Sequence, residues 1–347
     1  MKLFEYIDKT EFNLMVEKGY IKVVEHPSGN GYKVINYTKS CTYDWVWNDT
    51  TTKCRGIIVD GDYNIISRPF PKFYNYEEIE DKSIIPTDEH FTVWEKLDGT
   101  LGILYWIGDT PYIATKGSFD NEQALHATHI LHTKYRNSWH ILDKNITYLF
   151  EIIYPADMKC VRYGGIDDIF LIAAIPTHKL EHEYHIHLYG NHFNIVKSYD
   201  GVKDWTLLRD VFSGDNREGF VIKFSSGFRI KLKYEEYKRL HAIKTGFTEK
   251  MVFKLLRDGD YDSINEAMEL FDEEQKPFYQ SLIDKVESYY NEIKTISLNE
   301  YRDDFETDKD AALYIKTCTY PHVLFYMRKG YDYNELIWKY VERKIKE

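Results

Sequence analysis

The hydrophobic pattern of the chain changes near residue 245, and this change limits the folds that the chain can adopt. Before that point, short apolar runs bounded by Gly, Pro and Asn recur, which is typical of strands joined by turns. After it, apolar residues recur at helical spacing among many charges, as in "EKMVFKLLRDG" and "YNELIWKYVERKIKE". We therefore expect an antiparallel α+β domain over residues 1–245, followed by a smaller all-α domain over residues 246–347.

The strands of the first domain are predicted from their β-branched and aromatic residues and from the turn residues between them. The predicted strands are residues 31–36, 55–59, 64–66, 91–96, 102–107, 112–115, 146–154, 169–175, 184–188, 219–224 and 228–233. One helix is expected over residues 121–132, because Ala124, Ala127, Ile130 and Leu131 recur at helical spacing.

Composition excludes several classes of protein. Hydrophobic residues make up 43% of the chain and aromatic residues 16%, which is enough for a core and argues against disorder. No apolar run approaches the roughly twenty residues that a membrane span needs. The net charge of −11 argues against a general nucleic-acid coat, so a polyanion site must be a local basic patch. Four scattered cysteines without CxxC spacing indicate reduced cytosolic thiols.

A histidine-rich segment, "THKLEHEYHIHLYGNH" at residues 177–192, suggests a metal site at first sight. His185 and His187 would share one face of a strand. However, no Cys and no close Asp completes a tetrahedral set of zinc ligands. An exposed hairpin is therefore the favoured interpretation of this segment.

Charged residues interrupt apolar strands at several places in the first domain. In "WEKLDGTLGILYW" (residues 94–106), Lys96 and Asp98 lie among core-forming residues, and Asp98-Gly99 predicts a turn between two strands. A buried lysine is costly unless it is paired or used. The same pattern recurs at Glu151, at Glu218, and at Lys231 and Lys233, which share one face of a strand.

These charges, together with Arg55, Lys72 and Lys116, would suit a site for polyphosphate and metal. A lysine amine attacks phosphorus only when neutral, and burial and neighbouring cations are expected to lower the pKa of Lys96. Gly99 would let the backbone approach a phosphate closely. Glu218 and Glu151 are candidates for holding a divalent ion or a ribose hydroxyl.

The order of these motifs carries a resemblance to a known family. The motifs are "CRG" at 54–56, "SRPFPKFYN" at 67–75, "KLDG" at 96–99, "KGS" at 116–118, "FE" at 150–151, "EGFV" at 218–221 and "KLK" at 231–233. This series resembles the RNA ligase 1 family of T-even-type bacteriophages, which are covalent nucleotidyltransferases. The resemblance covers about residues 30–245 and implies a ligase adenylation domain, whereas the helical part resembles that family only in type.

The resemblance implies an ATP-dependent RNA ligase that works in three steps. A lysine takes AMP from ATP, AMP passes to a 5′-phosphate RNA end, and a 3′-hydroxyl then displaces AMP to seal the strand. The family also implies Mg²⁺ or Mn²⁺, repair of broken tRNA, and a place in the cytoplasm of an infected bacterial host. We expect a monomer without a membrane partner.

The resemblance also assigns roles to residues by position. Lys96, Lys116 and Glu218 would be catalytic, while Glu218 and Asp262 would bind metal. The residues that would contact the nucleotide are Tyr37, Arg55, Lys72, Glu151, Lys231 and Lys233, and Tyr237 matches a family tyrosine shortly after the lysine pair. One departure is Asp157-Met158, where the family usually has Asn-Arg, which puts the phosphate or RNA contacts just after Glu151 in doubt.

Two other classes of function remain open from the sequence. A capping guanylyltransferase or a DNA ligase of the same superfamily normally follows its lysine pair with an OB-type β-barrel, and the helical pattern after residue 245 argues against that. A non-catalytic RNA-binding scaffold would have no reason to keep Lys96 together with Lys231 and Lys233. Mixing the protein with labelled ATP or GTP would distinguish these two classes from an RNA ligase.

Overall fold

The computed structural model describes residues 1–157, 159–180, 183–212, 214–271 and 275–346. The chain forms two compact units, Met1–Lys238 and Arg239–Glu347. This division lies a few residues before the boundary expected at residue 245, within a helix (Glu235–Gly246) that begins in the first unit.

The first unit combines three sheets with short helices. Its strands are β1 (Ile21–Glu25), β2 (Lys33–Tyr37), β3 (Arg55–Val59), β4 (Ile65–Ser67), β5 (Tyr74–Asn75), β6 (Phe91–Lys96), β7 (Thr100–Ile107), β8 (Thr110–Thr115), β9 (Ile146–Ile153), β10 (Asp168–Pro176), β11 (Asn194–Ile195), β12 (Gly219–Phe224) and β13 (Arg229–Lys233). Its helices are α1 (Leu3–Tyr6), α2 (Lys9–Glu17), α3 (Lys39–Tyr43), α4 (Asp49–Lys53), α5 (Glu122–Thr133) and α6 (Leu208–Val211), and α7 (Glu235–Gly246) follows.

The strand orders are β1-β2-β3-β4, β11-β10-β9-β7-β8 and β5-β13-β12-β6. Neighbouring strands are antiparallel except for the short pairs β10–β11 and β13–β5. The expected antiparallel α+β class is therefore confirmed. Helix α5 packs on the five-stranded sheet through Leu131, which is fully buried with Tyr148 and Phe150. Asn121 caps this helix by accepting a hydrogen bond from the Ala124 N–H, which explains why the helix begins there.

Most predicted strands agree with the structure to within two residues, but the strand expected at 184–188 is wrong. Tyr184 makes one isolated bridge to Ala174, and a 3₁₀ turn (Ile186–Tyr189) follows. The described part of the histidine-rich segment is thus a turn beside β10 rather than an exposed hairpin. Glu181 and His182 lie outside the described residues.

The second unit, as far as residues 239–271 and 275–346 describe it, is helical throughout, in agreement with the expected all-α class. Beyond α7, its helices are α8 (Glu249–Asp258), α9 (Tyr261–Glu269), α10 (Lys276–Glu300), α11 (Asp308–Ile315), α12 (Pro321–Arg328) and α13 (Asn334–Lys346). Val286 and Ile293 of α10 are fully buried with Ile337 and Val341 of α13, so this unit has its own core. Within the described parts of the chain, no helix combines the length and apolar character that crossing a bilayer requires.

Candidate active site

Strand register brings the central lysine beside one of the lysine pair. Gly219 of β12 pairs with Lys96 on one side and with Lys233 on the other. Because side chains two residues apart on a strand share a face, Lys231 lies on the same face one row further along. The sequence therefore concentrates three lysines on one face of the four-stranded sheet.

Glu218 joins two of these lysines. Its Oε2 accepts a hydrogen bond from Lys96 Nζ at 2.6 Å, and its Oε1 contacts Lys233 Nζ at 2.8 Å. The Glu218 side chain is 3% exposed and each lysine side chain is 19% exposed, so this is a buried charge triad. Gly219, at φ +147°, permits it, because a Cβ there would lie 2.1 Å from the Leu232 carbonyl oxygen.

The carboxylates decide the protonation of Lys96. Burial alone would lower the pKa of Lys96, but the Glu218 and Glu151 carboxylates outweigh burial and hold that pKa above its ordinary value. The expectation that nearby cations lower the pKa of Lys96 is therefore wrong for the protein's own groups. The Glu218 carboxylate, at hydrogen-bond distance, raises the pKa of Lys96 by more than the cations lower it. The cations act instead on Lys231, where burial, Arg55 and Lys96 hold the pKa well below its ordinary value.

Asp98 fastens the loop that follows Lys96. Its side chain is buried, with Oδ2 accepting the Cys160 and Val161 N–H groups at 2.7 and 2.9 Å. Its Oδ1 accepts the Tyr237 hydroxyl at 2.6 Å, while the Asp98 N–H donates to the Tyr163 hydroxyl at 2.7 Å. The role of Asp98 is therefore architectural, and Tyr237 reaches the site through it.

Gly99 completes a turn that connects β6 to β7. The predicted turn is present, but its two strands belong to different sheets, so the chain passes from one sheet to the other immediately after Lys96. A Cβ on Gly99 would lie 2.3 Å from the Ile152 carbonyl oxygen. Gly99 also lines the cavity that Lys96 lines, so the expectation that its backbone approaches a phosphate stays a prediction.

Glu151, on β9, faces the lysine from the second sheet. Its Oε1 accepts the Gly99 N–H at 3.0 Å. Burial raises the pKa of Glu151 to about 7, and Lys96 offsets part of that rise. This carboxyl group therefore changes its charge close to neutral pH, next to the central lysine.

Arg55 and Lys231 supply cations in an aromatic setting. The Arg55 guanidinium lies 5.1 Å from the Phe70 ring centroid and 5.9 Å from that of Phe73, and Lys231 Nζ lies 4.6 Å from Phe73. Among the described residues, the buried Arg55 Nη1 has no hydrogen-bond partner. A buried guanidinium nitrogen without an acceptor suits a phosphate oxygen of a ligand.

Tyr37, Lys72 and Lys116 also come together. Lys116 Nζ lies 5.2 Å from the Tyr37 ring centroid, and the Tyr37 ring meets Trp47 edge-on at 5.0 Å. Lys72 Nζ lies 4.5 Å from the Trp47 ring and 3.9 Å from the Tyr74 ring. The structure thus adds aromatic residues that sequence reasoning missed, since "DWVWND" carries no strand or helix period that would predict their position.

A cavity of about 690 Å³ runs between the two sheets, and its volume lies in the range of small-molecule sites. Its lining includes the predicted charged residues Arg55, Lys96, Lys116, Glu151 and Lys231. It also includes a second charge cluster that sequence reasoning missed, in which Glu183 pairs with Lys223 at 2.9 Å and with Arg229. Alternation along β12 and β13 would have placed Lys223 and Arg229 on this face, but no sequence signal pointed to Glu183.

The departure at Asp157 has a structural role. Its carboxylate accepts hydrogen bonds from Thr100 Oγ1 at 2.7 Å and from Gln123 Nε2 at 3.0 Å, and it pairs with Lys159 at 2.6 Å. Asp157 therefore holds the first residue of β7, close to the Asp98-Gly99 turn. Met158 lies outside the described residues.

The described residues suit a metal ion that is bound partly by the protein and partly by the phosphates of a substrate. Among the described residues, no group of three or more His, Cys, Asp and Glu side chains could hold a metal ion. Both Glu218 oxygens contact lysines, whereas Glu151 has one oxygen beyond its Gly99 contact. Mg²⁺ is commonly bound by one or two carboxylates together with substrate phosphates, so Glu151 is the carboxylate that fits. Asp262 is exposed in the first turn of α9 in the second unit, where an acidic side chain stabilises the helix, and its role in metal binding stays a prediction.

Comparison with known proteins found one family model and several similar solved structures. A family model described as RNA ligase matches residues 53–237, which is more than half of the chain. Similar solved structures include a putative ATP-dependent DNA ligase from Aquifex aeolicus, with 16% identity, a TM-score of 0.48 and coverage of 90% of this chain and 88% of that chain. An archaeal ATP-dependent RNA ligase shows 14% identity, a TM-score of 0.46 and coverage of 88% and 85%. A Naegleria gruberi RNA ligase with PPi shows 20% identity, a TM-score of 0.35 and coverage of 44% and 52%.

Proposed function

This chain belongs to the RNA ligase family, and from that premise we propose that it is an ATP-dependent RNA ligase that works through AMP carried covalently on Lys96. The observation that carries the proposal is the buried triad in which Glu218 holds Lys96 at 2.6 Å and Lys233 at 2.8 Å. Lys96 is held in this way just before the turn that connects two sheets, and Arg55 and Lys231 lie beside it. This arrangement supports Lys96 as a nucleophile that faces a phosphate site.

In the first step, Lys96 Nζ attacks the α-phosphorus of ATP. A P–N bond forms, and the P–O bond to pyrophosphate breaks. The amine must lose a proton to attack, and Glu218 Oε2 is the hydrogen-bond partner placed to accept it. Arg55, Lys72 and Lys231 would hold the triphosphate and stabilise the charge that develops on pyrophosphate. A divalent ion held with Glu151 would neutralise phosphate charge.

In the second step, an oxygen of the RNA 5′-phosphate attacks the same phosphorus. A new P–O bond forms, the P–N bond breaks, and the electron pair returns to Lys96, which takes up a proton. In the third step, a 3′-hydroxyl attacks the activated 5′-phosphate, loses its proton, and displaces AMP. Lys116, exposed at the end of β8, is assigned to this later chemistry.

The physiological RNA would be a broken tRNA, repaired by a monomeric enzyme in the cytoplasm of an infected bacterium. The resemblance to phage ligases supports this choice, and the helical second unit, which has its own core, would recognise the structured RNA. Sealing rates of a tRNA broken in its loop and of an unstructured oligonucleotide, measured side by side, test it. Equal rates for both substrates would contradict tRNA as the preferred RNA.

The test of the covalent step is transfer of label from ATP. The wild-type chain with Mg²⁺ and ATP labelled at the α-phosphate should retain label on a denaturing gel, and GTP should give none. Lys96→Ala should abolish the label and the sealing of 5′-phosphorylated RNA. Lys144→Ala is the control, because Lys144 is 50% exposed and its ion-pair partner Asp109 is 99% exposed. Label on Lys96→Ala would reject Lys96, and label from GTP instead of ATP would indicate a guanylyltransferase.

A further inference from the structure

Three aromatic rings lie beside Lys72 and form what we call the aromatic shelf, defined as Trp45, which is exposed, and Trp47 and Tyr74, which are half-buried. Their ring centroids lie 6.0 to 6.5 Å apart. Lys72 Nζ lies among them, 3.9 Å from Tyr74, 4.5 Å from Trp47 and 5.6 Å from Trp45. The shelf therefore combines flat apolar faces with a cation.

The exposure and the backbone conformation of Trp45 are both unfavourable in free energy, and the fold alone does not explain them. It is 53% exposed, and its backbone has φ +55°, a conformation that bulky residues seldom adopt. Strained positions of this kind cluster at ligand sites. Trp47 supplies a second sign of a ligand, because its buried indole Nε1 has no acceptor among the described residues.

The chemistry of the second step says which ligand reaches the shelf. In phosphoryl transfer, the entering and leaving groups lie roughly in line on opposite sides of the phosphorus. In the first step, Lys96 attacks the phosphorus on the side opposite pyrophosphate. In the second step, Lys96 is the leaving group. The RNA 5′-phosphate must therefore approach from the side that pyrophosphate has left. In the proposed function, this is the side of the cations that would hold the triphosphate, including Lys72, whose charge acts on Lys231.

From this geometry, and resting on the proposed function, we propose that the aromatic shelf stacks the base of the 5′-terminal nucleotide of the RNA strand to be activated. Stacking on aromatic faces accepts any base, and nearby cations attract the strand. Lys72 and Lys116 provide that local positive charge on a chain whose net charge is −11. The shelf would thus place a 5′ end of any sequence next to lysyl-AMP.

The test uses RNA that already carries AMP at its 5′ end, so that sealing does not depend on label transfer to Lys96. Trp45→Ala and Trp45→Leu should raise the KM for this RNA by about tenfold, the order expected for one lost stacked base, with little change in kcat. Trp45→Phe should keep a KM close to wild type, because a flat face remains. Leu125→Ala, which removes an apolar side chain that is 58% exposed on α5 of the first unit, is the control and should behave as wild type.

An RNA whose 5′-terminal nucleotide lacks its base provides the decisive comparison. With this RNA, wild type and Trp45→Ala should have the same KM, since neither can stack a missing base. The inference fails if Trp45→Ala matches wild type on intact RNA, or if it raises KM equally on the RNA without the base. Failure of the proposed function is separate: wild-type protein would then acquire no label on Lys96 from ATP.

Discussion

Replacing Glu218 by Ala should destabilise the first unit strongly, because it removes the carboxylate that pairs with two buried lysines. Glu218 is 3% exposed and contacts Lys96 at 2.6 Å and Lys233 at 2.8 Å, while each lysine is 19% exposed. Removing one partner of a buried ion pair costs about 3–5 kcal/mol, because the remaining charge is left without compensation. With an m-value of about 2–3 kcal/mol per molar urea, the unfolding midpoint should fall by about 1–2.5 M.

The assay is urea unfolding followed by tryptophan fluorescence in a Trp338→Phe background. Trp338 is the only tryptophan after residue 238, so the signal then reports the first unit alone. Asp109→Ala is the matched control, because Lys144 and Asp109 lie 2.5 Å apart but are 50% and 99% exposed. An exposed pair at the same distance contributes little, so this midpoint should not move measurably.

Two further variants isolate the cause. Glu218→Gln keeps an acceptor oxygen without the charge and should fall between wild type and Glu218→Ala. Adding Lys96→Met to Glu218→Ala removes one stranded cation and should recover part of the loss, which would be a favourable coupling between the two changes. If Glu218→Ala and Asp109→Ala shift the midpoint equally, or if Lys96→Met adds a further loss, the reasoning from burial is wrong.

Two more predictions concern the turn and the second carboxylate. Gly99→Ala should cost about 3 kcal/mol or more, since its Cβ would lie 2.3 Å from the Ile152 carbonyl oxygen, whereas Gly61→Ala, at 3.9 Å from the Gly31 oxygen, should stay within about 0.5 kcal/mol of wild type. Equal urea midpoints for these two variants would contradict the packing argument. The folded protein holds a proton on Glu151 up to its pKa of about 7, while the unfolded chain releases it near the ordinary value of 4.5, so the free energy of unfolding should fall as pH rises between these values. Glu151→Gln should flatten this slope, and an unchanged slope would show that Glu151 does not titrate in that range.

Much of the fold could be predicted because each strand carried its own local signal. Residues 55–59, 91–96 and 219–224 show apolar runs with turn residues at their ends, and the structure has strands with those bounds. The pairing of strands into three sheets could not be predicted, because it depends on contacts between distant residues. The strand predicted at 184–188 failed for the same reason: its apolar residues pack beside β10 in a turn.

The candidate site likewise combines features that could be predicted from the sequence with features that could not. Spacing along the strands placed Lys231 and Lys233 on one face, and motif order gathered Tyr37, Arg55, Lys72 and Lys116 into one region. The direction of the pKa shift of Lys96 could not be predicted, because it depends on which of several charges lies nearest in space. The aromatic shelf was missed because exposed tryptophans in a loop leave no periodic signal.

The turn after Lys96 has a consequence for how related sequences are interpreted. Asp98 accepts hydrogen bonds from the Cys160 and Val161 N–H groups, and Gly99 leaves room for the Ile152 carbonyl oxygen of β9; neither feature requires a nucleotide. We therefore expect that a descendant without Lys96, the proposed nucleophile, would still keep both residues for the sake of its fold. A search keyed to the aspartate and glycine would therefore collect catalytically inactive paralogues with active enzymes. Only the charged neighbours of the amine, above all a buried glutamate shared between two lysines, would distinguish them.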